Sequence, residues 1–144
     1  MQENLYPKAN VLNRFIAKFI DLLIVALLYE FSPRVGFIAG MLYLLIADGF
    51  SQGKSVGKWL IGLQTYVPAR QSVCTFRESI IRNFPLAVGY FLFLIPYVGW
   101  LFTAAILAIE GLLIIGNGQG IRIGDEIAGT QVLEREILDV GVER

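Results

Sequence analysis

The sequence predicts an all-helical membrane protein: four transmembrane helices joined to a cytoplasmic cap of short interfacial helices, with a two-stranded hairpin in the cap as an option. A single domain covers residues 1–144. Three observations lead there. Hydrophobic residues make up 56% of the chain and charged residues 17%, at a mean hydropathy of +0.63, well above the composition of a soluble domain. The apolar runs fall in two pairs, residues 13–47 and 84–115, with a polar stretch between them and another after. With four spans, eleven of the twelve lysines and arginines, all but Arg34, lie on the side of the N terminus, and the positive-inside rule then places both termini in the cytoplasm. A three-span arrangement ranks second because it would send Arg122, Arg135 and Arg144 outside.

Residues 1–10 are polar and form a short lead-in. The run 13–31 is expected to be the first helix, retained rather than cleaved, since Asp21 interrupts its apolar core and no small-x-small site comes after it. Arg14, Lys18 and Asp21 are spaced four and three apart and share one face. Lys18 and Asp21 can pair along the helix. Arg14 and Asp21 are seven residues apart, about 10 Å, so Arg14 needs a partner outside its helix, and Asp125 is favoured because the cap folds back over the head of helix one. A carboxylate facing hydrocarbon costs about 2.5–3.5 kcal/mol, so Asp21 should face protein or water.

Ser32-Pro33 reads as an N-cap with proline in the first helical turn, so a second helix over 34–50 comes after a tight turn. Its continuous apolar part, 35–47, is below the usual spanning length of about 20 residues, which asks for a thin bilayer or shelter from neighbours. Gly36 and Gly40 form a GxxxG pattern, read as close helix packing in preference to the general abundance of glycine in membrane helices. Residues 48–83 then form a polar loop region. In it, 54–63 can coil as an interfacial helix with Trp59, Leu60 and Leu63 below and Lys54 and Lys58 on the rim, and 64–67 alternates like a strand. Thr75 to Glu78 is a capping box that opens a third helix, with a kink expected at Pro85. The apolar stretch 84–115 would measure about 48 Å as one helix, too long for a hydrocarbon core of about 30 Å. It should break at residues 96–99 into a third span and a fourth, with Tyr97 and Trp100 as interfacial aromatics. Residues 116–120 end the fourth span, and 129–133 is a short alternating piece that could pair with 64–67.

The composition also sets exclusions. A formal net charge of zero argues against nucleic acid as a partner, and with no histidine and one cysteine, Cys74, a structural zinc site and an intramolecular disulfide are ruled out. No metal set, cofactor motif or nucleophile–base constellation is visible, so an enzyme ranks third. The segment 49–55 is one residue short of a phosphate-binding P-loop and lacks a parallel sheet, so a polar turn is the far better reading. Candidate ion or proton sites are Asp21, Arg14, Asp125, Glu110 and Asp48. Glu110 lies inside the fourth span, as a functional carboxylate or as a structural partner of Arg14 or Lys18 in about equal measure. Asp48, at the end of the second helix, more often would be a solvated terminal residue. Lys54, Lys58, Arg77 and Arg82 are candidates to reach lipid phosphates.

The stretch from Arg14 to Asp21, the Gly53-Lys-Ser-Val-Gly-Lys58 segment with Gly62-Leu63, Arg77 to Arg82-Asn-Phe-Pro85, and Arg122-Ile-Gly-Asp125 through Ala-Gly-Thr-Gln-Val132 together resemble the RDD family of small bacterial membrane proteins over nearly the whole chain. That family is named for one arginine and two aspartates. Arg14, Asp21 and Asp125 match them. Members often carry histidine before the last aspartate where this chain has Gly124, and Glu110 has no family counterpart. The resemblance implies a multi-pass protein of the bacterial inner membrane, with transport suspected and cation/proton antiport proposed for some members. Two hypotheses fit this pattern. The first is a small transporter, expected to be oligomeric, in which Asp21 binds a monovalent cation or proton while Arg14 and Asp125 gate or orient it. The second is a non-transporting module of the lipid bilayer that binds lipid or a partner protein.

Overall fold

The computed structural model describes residues 6–142 and is mostly helical. α1 (Val11–Phe31) opens on Asn10, whose side chain accepts the N–H of Leu12. Ser32 separates it from α2 (Pro33–Phe50), with proline in the first turn of the second helix where its missing N–H costs nothing. The two form the expected tight hairpin. Its closeness rests on glycine: a Cβ on Gly36 would run into the Leu28 carbonyl, and one on Gly40 would lie 2.8 Å from Val25 Cγ1.

After α2 come α3 (Val56–Ile61), β1 (Leu63–Val67), a single 3₁₀ turn (Pro68–Arg70) and β2 (Ser72–Val73). α4 (Phe76–Leu92) begins with the capping box of Thr75 and Glu78 and runs through Pro85 without ending. The turn 93–98 leads to α5 (Gly99–Gly116). The chain then returns through α6 (Ile123–Ala128), β3 (Gln131–Glu134) and α7 (Arg135–Val142).

An all-helical description is therefore incomplete. The cap contains a three-stranded antiparallel sheet in the order β2-β1-β3. The pairing of β1 with β3 places Gln64 opposite Leu133 and Thr65 opposite Val132, so the two alternating runs do pair. β2 was not legible: it is two residues long, and it pairs only because the 3₁₀ turn brings it back onto β1. α6 and α7 were also missed, since the polar tail carries no long apolar period to announce them.

The cap gathers both ends of the chain. Lys8 donates to the carbonyls of Ile115 and Asn117 at the end of α5, the Asn10 N–H donates to Glu134, and Ser79 of α4 donates to the Leu45 carbonyl of α2. The start of α1, the end of α2, the start of α4 and the end of α5 thus lie at one end of the bundle.

Two helices, Pro33–Phe50 and Gly99–Gly116, are long and apolar enough to cross a membrane. At 18 residues each they measure about 27 Å, close to a hydrocarbon core of about 30 Å. α1 carries too many charges for that description, and α4 has only 17 residues and its own charges toward the cap. Burial runs opposite to that of a soluble protein. Among the described residues sixteen polar or charged side chains are buried against thirteen hydrophobic ones, while Phe19, Leu27, Phe31, Ile38, Phe91 and Leu112 stand exposed. Apolar surface on that scale needs a non-aqueous neighbour.

Candidate functional site

The buried charges form one cluster where the helices enter the cap. α1 contributes Arg14, Lys18 and Asp21; α2, Asp48; α3, Lys58; α4, Arg82; α5, Glu110; and the start of α6, Arg122 and Asp125. Those on the long helices lie at the middle or in the cap-facing half, where the short cap elements can reach between the helices.

Asp21 does not pair with Lys18. Its carboxylate accepts from the Tyr43 hydroxyl at 2.8 Å, the Ser55 hydroxyl at 2.6 Å and the Gly57 N–H at 2.9 Å, and so joins α1, α2 and α3 through neutral donors. Gly57 is required for this. Its missing Cβ leaves room for the Ala17 carbonyl, which lets the first turn of α3 close onto α1.

Asp48 is buried rather than solvated, because α3 and α4 both bring cations to it. Lys58 Nζ lies 2.6 Å from one oxygen, while Arg82 and the Asn83 amide each lie 3.2 Å from the other. Asp125 is fully enclosed. Arg82 Nη2 reaches it at 2.7 Å, Arg14 Nη2 at 3.2 Å and Arg122 Nε at 3.3 Å. The partner of Arg14 is thus the acid expected from outside its own helix, and the other Arg14 Nη donates to the Gly120 carbonyl. α6 comes this close to α4 because Gly124, in the position before Asp125, packs its backbone on the Arg82 carbonyl, where any Cβ would collide.

Lys58 and Arg82 are not on the interfacial rim: both are buried. α3 has turned its polar side inward to the charge cluster and its apolar side, Val56, Trp59 and Leu60, outward, the reverse of the orientation expected for a helix lying over a soluble core. Arg82 bridges Asp48 and Asp125 and also donates to the Thr65 hydroxyl of β1. Of the four lipid-phosphate candidates, Arg77 is exposed and Lys54 half-buried on the flank of the cap.

Burial drives Lys58 down, and neighbouring Arg82 adds to it against the pull of Asp48, leaving its ammonium at about 7. For Asp125 burial favours the neutral form, but Arg82, Arg122 and Arg14 outweigh it and hold the carboxyl well below the usual range. Burial pushes the Cys74 thiol up to about 11, so this cysteine is an inert core residue.

Glu110 meets neither Arg14 nor Lys18 in an ion pair. It faces Arg122 Nε at 3.4 Å without a hydrogen bond, and both its carboxylate oxygens are buried with no donor. Beside it lies a cavity of about 380 Å³ between α1, α4 and α5. Arg14, Lys18, Lys58, Arg82, Glu110 and Arg122 supply its polar lining, and the rest is apolar. Among those cations Lys18 alone has no ion pair within the described residues. Residues that the sequence did not mark as site candidates include Tyr43, Ser55, Gly57, Asn83 and Arg122, although all but Tyr43 lie in the stretches that carry the resemblance. Arg122 had a signal, a guanidinium three residues before Asp125 at the start of a short helix; Tyr43 had none.

The family model that matches the chain is that of the RDD family, over residues 26–129. The matched stretch holds Asp48, Lys58, Arg82, Glu110, Arg122 and Asp125, to which α1 adds Arg14, Lys18 and Asp21 in space. No curated protein and no solved structure matches.

Proposed function

The chain belongs to the RDD family and is a membrane protein, and on that premise we propose that it is a four-span, lipid-binding module of the bacterial cell membrane rather than a cation carrier. Four spans agree with the meeting of the four long-helix ends at one cap, and the basic excess of that cap orients it, with both termini, to the cytoplasm. One observation carries the lipid reading. The cavity where the helices meet the cap is lined by five cations and otherwise mostly by apolar side chains, complementary to an amphiphile and not to a metal cation.

Cation coupling asks for carboxylates able to exchange their partner in each cycle. Asp21 has three donors, Asp48 is held by Lys58 and Arg82, and Asp125 by three arginines. Releasing any of them would break a buried network, at a cost of about 3–5 kcal/mol for each partner left unpaired. The antiport proposed for some family members would rest, in this chain, on Asp21 exchanging those three bonds or on Glu110, whose oxygens have no hydrogen-bond donor among the described residues.

Reconstitution in phospholipid vesicles tests both readings. The expected result is H⁺, Na⁺ and K⁺ flux no greater than in empty vesicles, together with phospholipid that stays bound through detergent exchange. Flux in the wild type that disappears in a stably folded Asp21→Asn variant would replace the lipid module with a transporter.

A further inference from the structure

We propose that the cavity is the headgroup site of one acidic phospholipid whose phosphate binds Lys18 and Arg122 and whose headgroup hydroxyl donates to Glu110. The proposal rests on the lipid-module reading and names its ligand.

Charge balance points first to an anion. The cluster holds five cations, Arg14, Lys18, Lys58, Arg82 and Arg122, against four acids, Asp21, Asp48, Glu110 and Asp125. Below about pH 7, where Lys58 keeps its proton, one positive charge is in excess. It is not spread evenly. Asp48 and Asp125 do not line the cavity and share Arg82 between them, whereas all five cations line it. Lys18 is the group left over: it is half-buried, lines the cavity, and has no ion pair or hydrogen bond to another described residue. An ammonium at this depth needs an anion, and among the described residues no carboxylate lies within ion-pairing distance of it.

Unused hydrogen-bonding capacity points to the rest of the headgroup. The Nε of Arg122 is a buried donor without an acceptor in hydrogen-bonding geometry, and both oxygens of Glu110 are buried acceptors without donors. Groups of this kind cost about 1–3 kcal/mol each when left unmade. A phosphate supplies an acceptor to Lys18 and Arg122. A hydroxyl on the same headgroup supplies a donor to Glu110 and keeps that carboxylate from facing the phosphate directly.

The walls identify the source as the bilayer. Phe15, Phe19, Leu22 and Leu107 line the cavity and are also exposed on the outside of the bundle, so its mouth opens sideways onto the surface that faces lipid chains. Gly111 lines the mouth beside the Phe15 ring, where a Cβ would sit in ordinary contact at 3.5 Å and a larger side chain would fill the opening. A volume of about 380 Å³ is at the small end of ligand pockets, about 300–1,000 Å³. It accommodates a headgroup and the first part of its chains, which then pass between α1 and α5 into the membrane.

The test is thermal denaturation of the delipidated full chain in neutral detergent with added phosphatidylglycerol, phosphatidic acid, phosphatidylcholine or inorganic phosphate, read as the concentration giving half the maximal shift. Phosphatidylglycerol should act at a concentration about tenfold below that of phosphatidylcholine, the size of one charge-assisted hydrogen bond, and inorganic phosphate should give no shift. Lys18→Gln, which strands no ion-pair partner, should weaken phosphatidylglycerol and phosphatidylcholine alike, because both present a phosphate to it. Glu110→Gln should erase the preference for phosphatidylglycerol over phosphatidylcholine and phosphatidic acid, which lack the headgroup hydroxyl, and Gly111→Leu should close the mouth and weaken every lipid. Equal shifts from phosphatidylglycerol and phosphatidylcholine would overturn the headgroup site while leaving a lipid module standing. A shift from inorganic phosphate equal to that from phosphatidylglycerol would make the site one for a free anion. No shift from any lipid would remove both the site and the lipid-module reading.

Discussion

Asp125 and Glu110 flank the same guanidinium, Arg122, at 3.3 and 3.4 Å, yet the protein treats them oppositely. Asp125 sits on a six-residue helix of the cap, pressed against α4 by Gly124, and receives three arginines. Glu110 projects from α5, which packs on α4 but leaves the cavity between itself and α1, and among the described residues no donor meets its oxygens in good hydrogen-bonding geometry. The closed half of the cluster, around Asp125, Asp48 and Asp21, ties helices together. The open half, around Lys18 and Glu110, has charge to spare and space beside it. Burial of a charge is therefore a poor guide to function by itself; whether its partners are already present separates the two halves.

Asp125 is where the contrast breaks most severely. Asp125→Ala should cost about 3–5 kcal/mol because it leaves Arg14, Arg82 and Arg122 buried without their shared counter-charge. Adding Arg14→Ala should cost little more, since the pair acts as a unit. Chemical denaturation in detergent checks both, and additive losses would show that the two do not interact.

Gly57→Ala comes next. The new methyl would collide with the Ala17 carbonyl and push α3 off α1, loosening the N–H that Asp21 accepts. A loss of about 1–3 kcal/mol is expected for overpacking of this kind, measured as a fall in Tm, and an unchanged Tm would show that α3 is not fixed through this contact.

A smaller effect is the pH dependence contributed by Lys58. In the folded chain its ammonium lies at about 7, against 10.5 for an ordinary lysine. Above about 7 the unfolded chain still holds the proton that the folded chain releases, so stability should rise with pH, by at most about 1.4 kcal/mol per unit. Denaturation from pH 7 to about 8, below the ordinary thiol value at which Cys74 of the unfolded chain ionises, should show the rise in the wild type and a flatter profile in Lys58→Gln.

The weakest change belongs to the open half. Lys18→Gln removes no ion pair and relieves an ammonium that has none, so its stability in lipid-free detergent should be equal to or above that of the wild type. A loss comparable to that of Asp125→Ala would place Lys18 in the closed half and erase the distinction. Topology has its own check: a cysteine placed at Tyr97 should label from outside intact cells and one near residue 120 should not, whereas buried Cys74 reports on neither side.

Helix ends were the most legible feature of the fold. Ser32-Pro33, the Thr75–Glu78 capping box and the break at 96–99 each involve residues whose local chemistry decides the backbone, so α2, α4 and α5 fall close to where the sequence put them. The strand at Ser72–Val73 was illegible because two residues have no period, and α6 and α7 because their neighbours, not their own apolar faces, hold them. The site was legible in its residues and not in its pairings. Asp21 looked like the partner of Lys18 by spacing along one helix, but Tyr43 of α2 and the start of α3 deliver three neutral donors to it from another direction. Asp48 looked solvated because it ends a helix, and it is buried because two other elements cover that end.

Local rules, and hence the amino-acid order alone, settle the apolar runs and their lengths, the caps and breaks between them, the side on which the basic residues gather, and the need of Arg14 for an acid outside its own helix. Helix packing settles which acid faces which cation. That choice depends on close approaches of backbone to backbone, at Gly57 on Ala17 and Gly124 on Arg82, that bring residues distant in the chain into hydrogen-bonding range. Packing also settles the space those approaches leave unfilled. A charge's partner and a cavity's walls are properties of packed helices, and no spacing along one helix contains them.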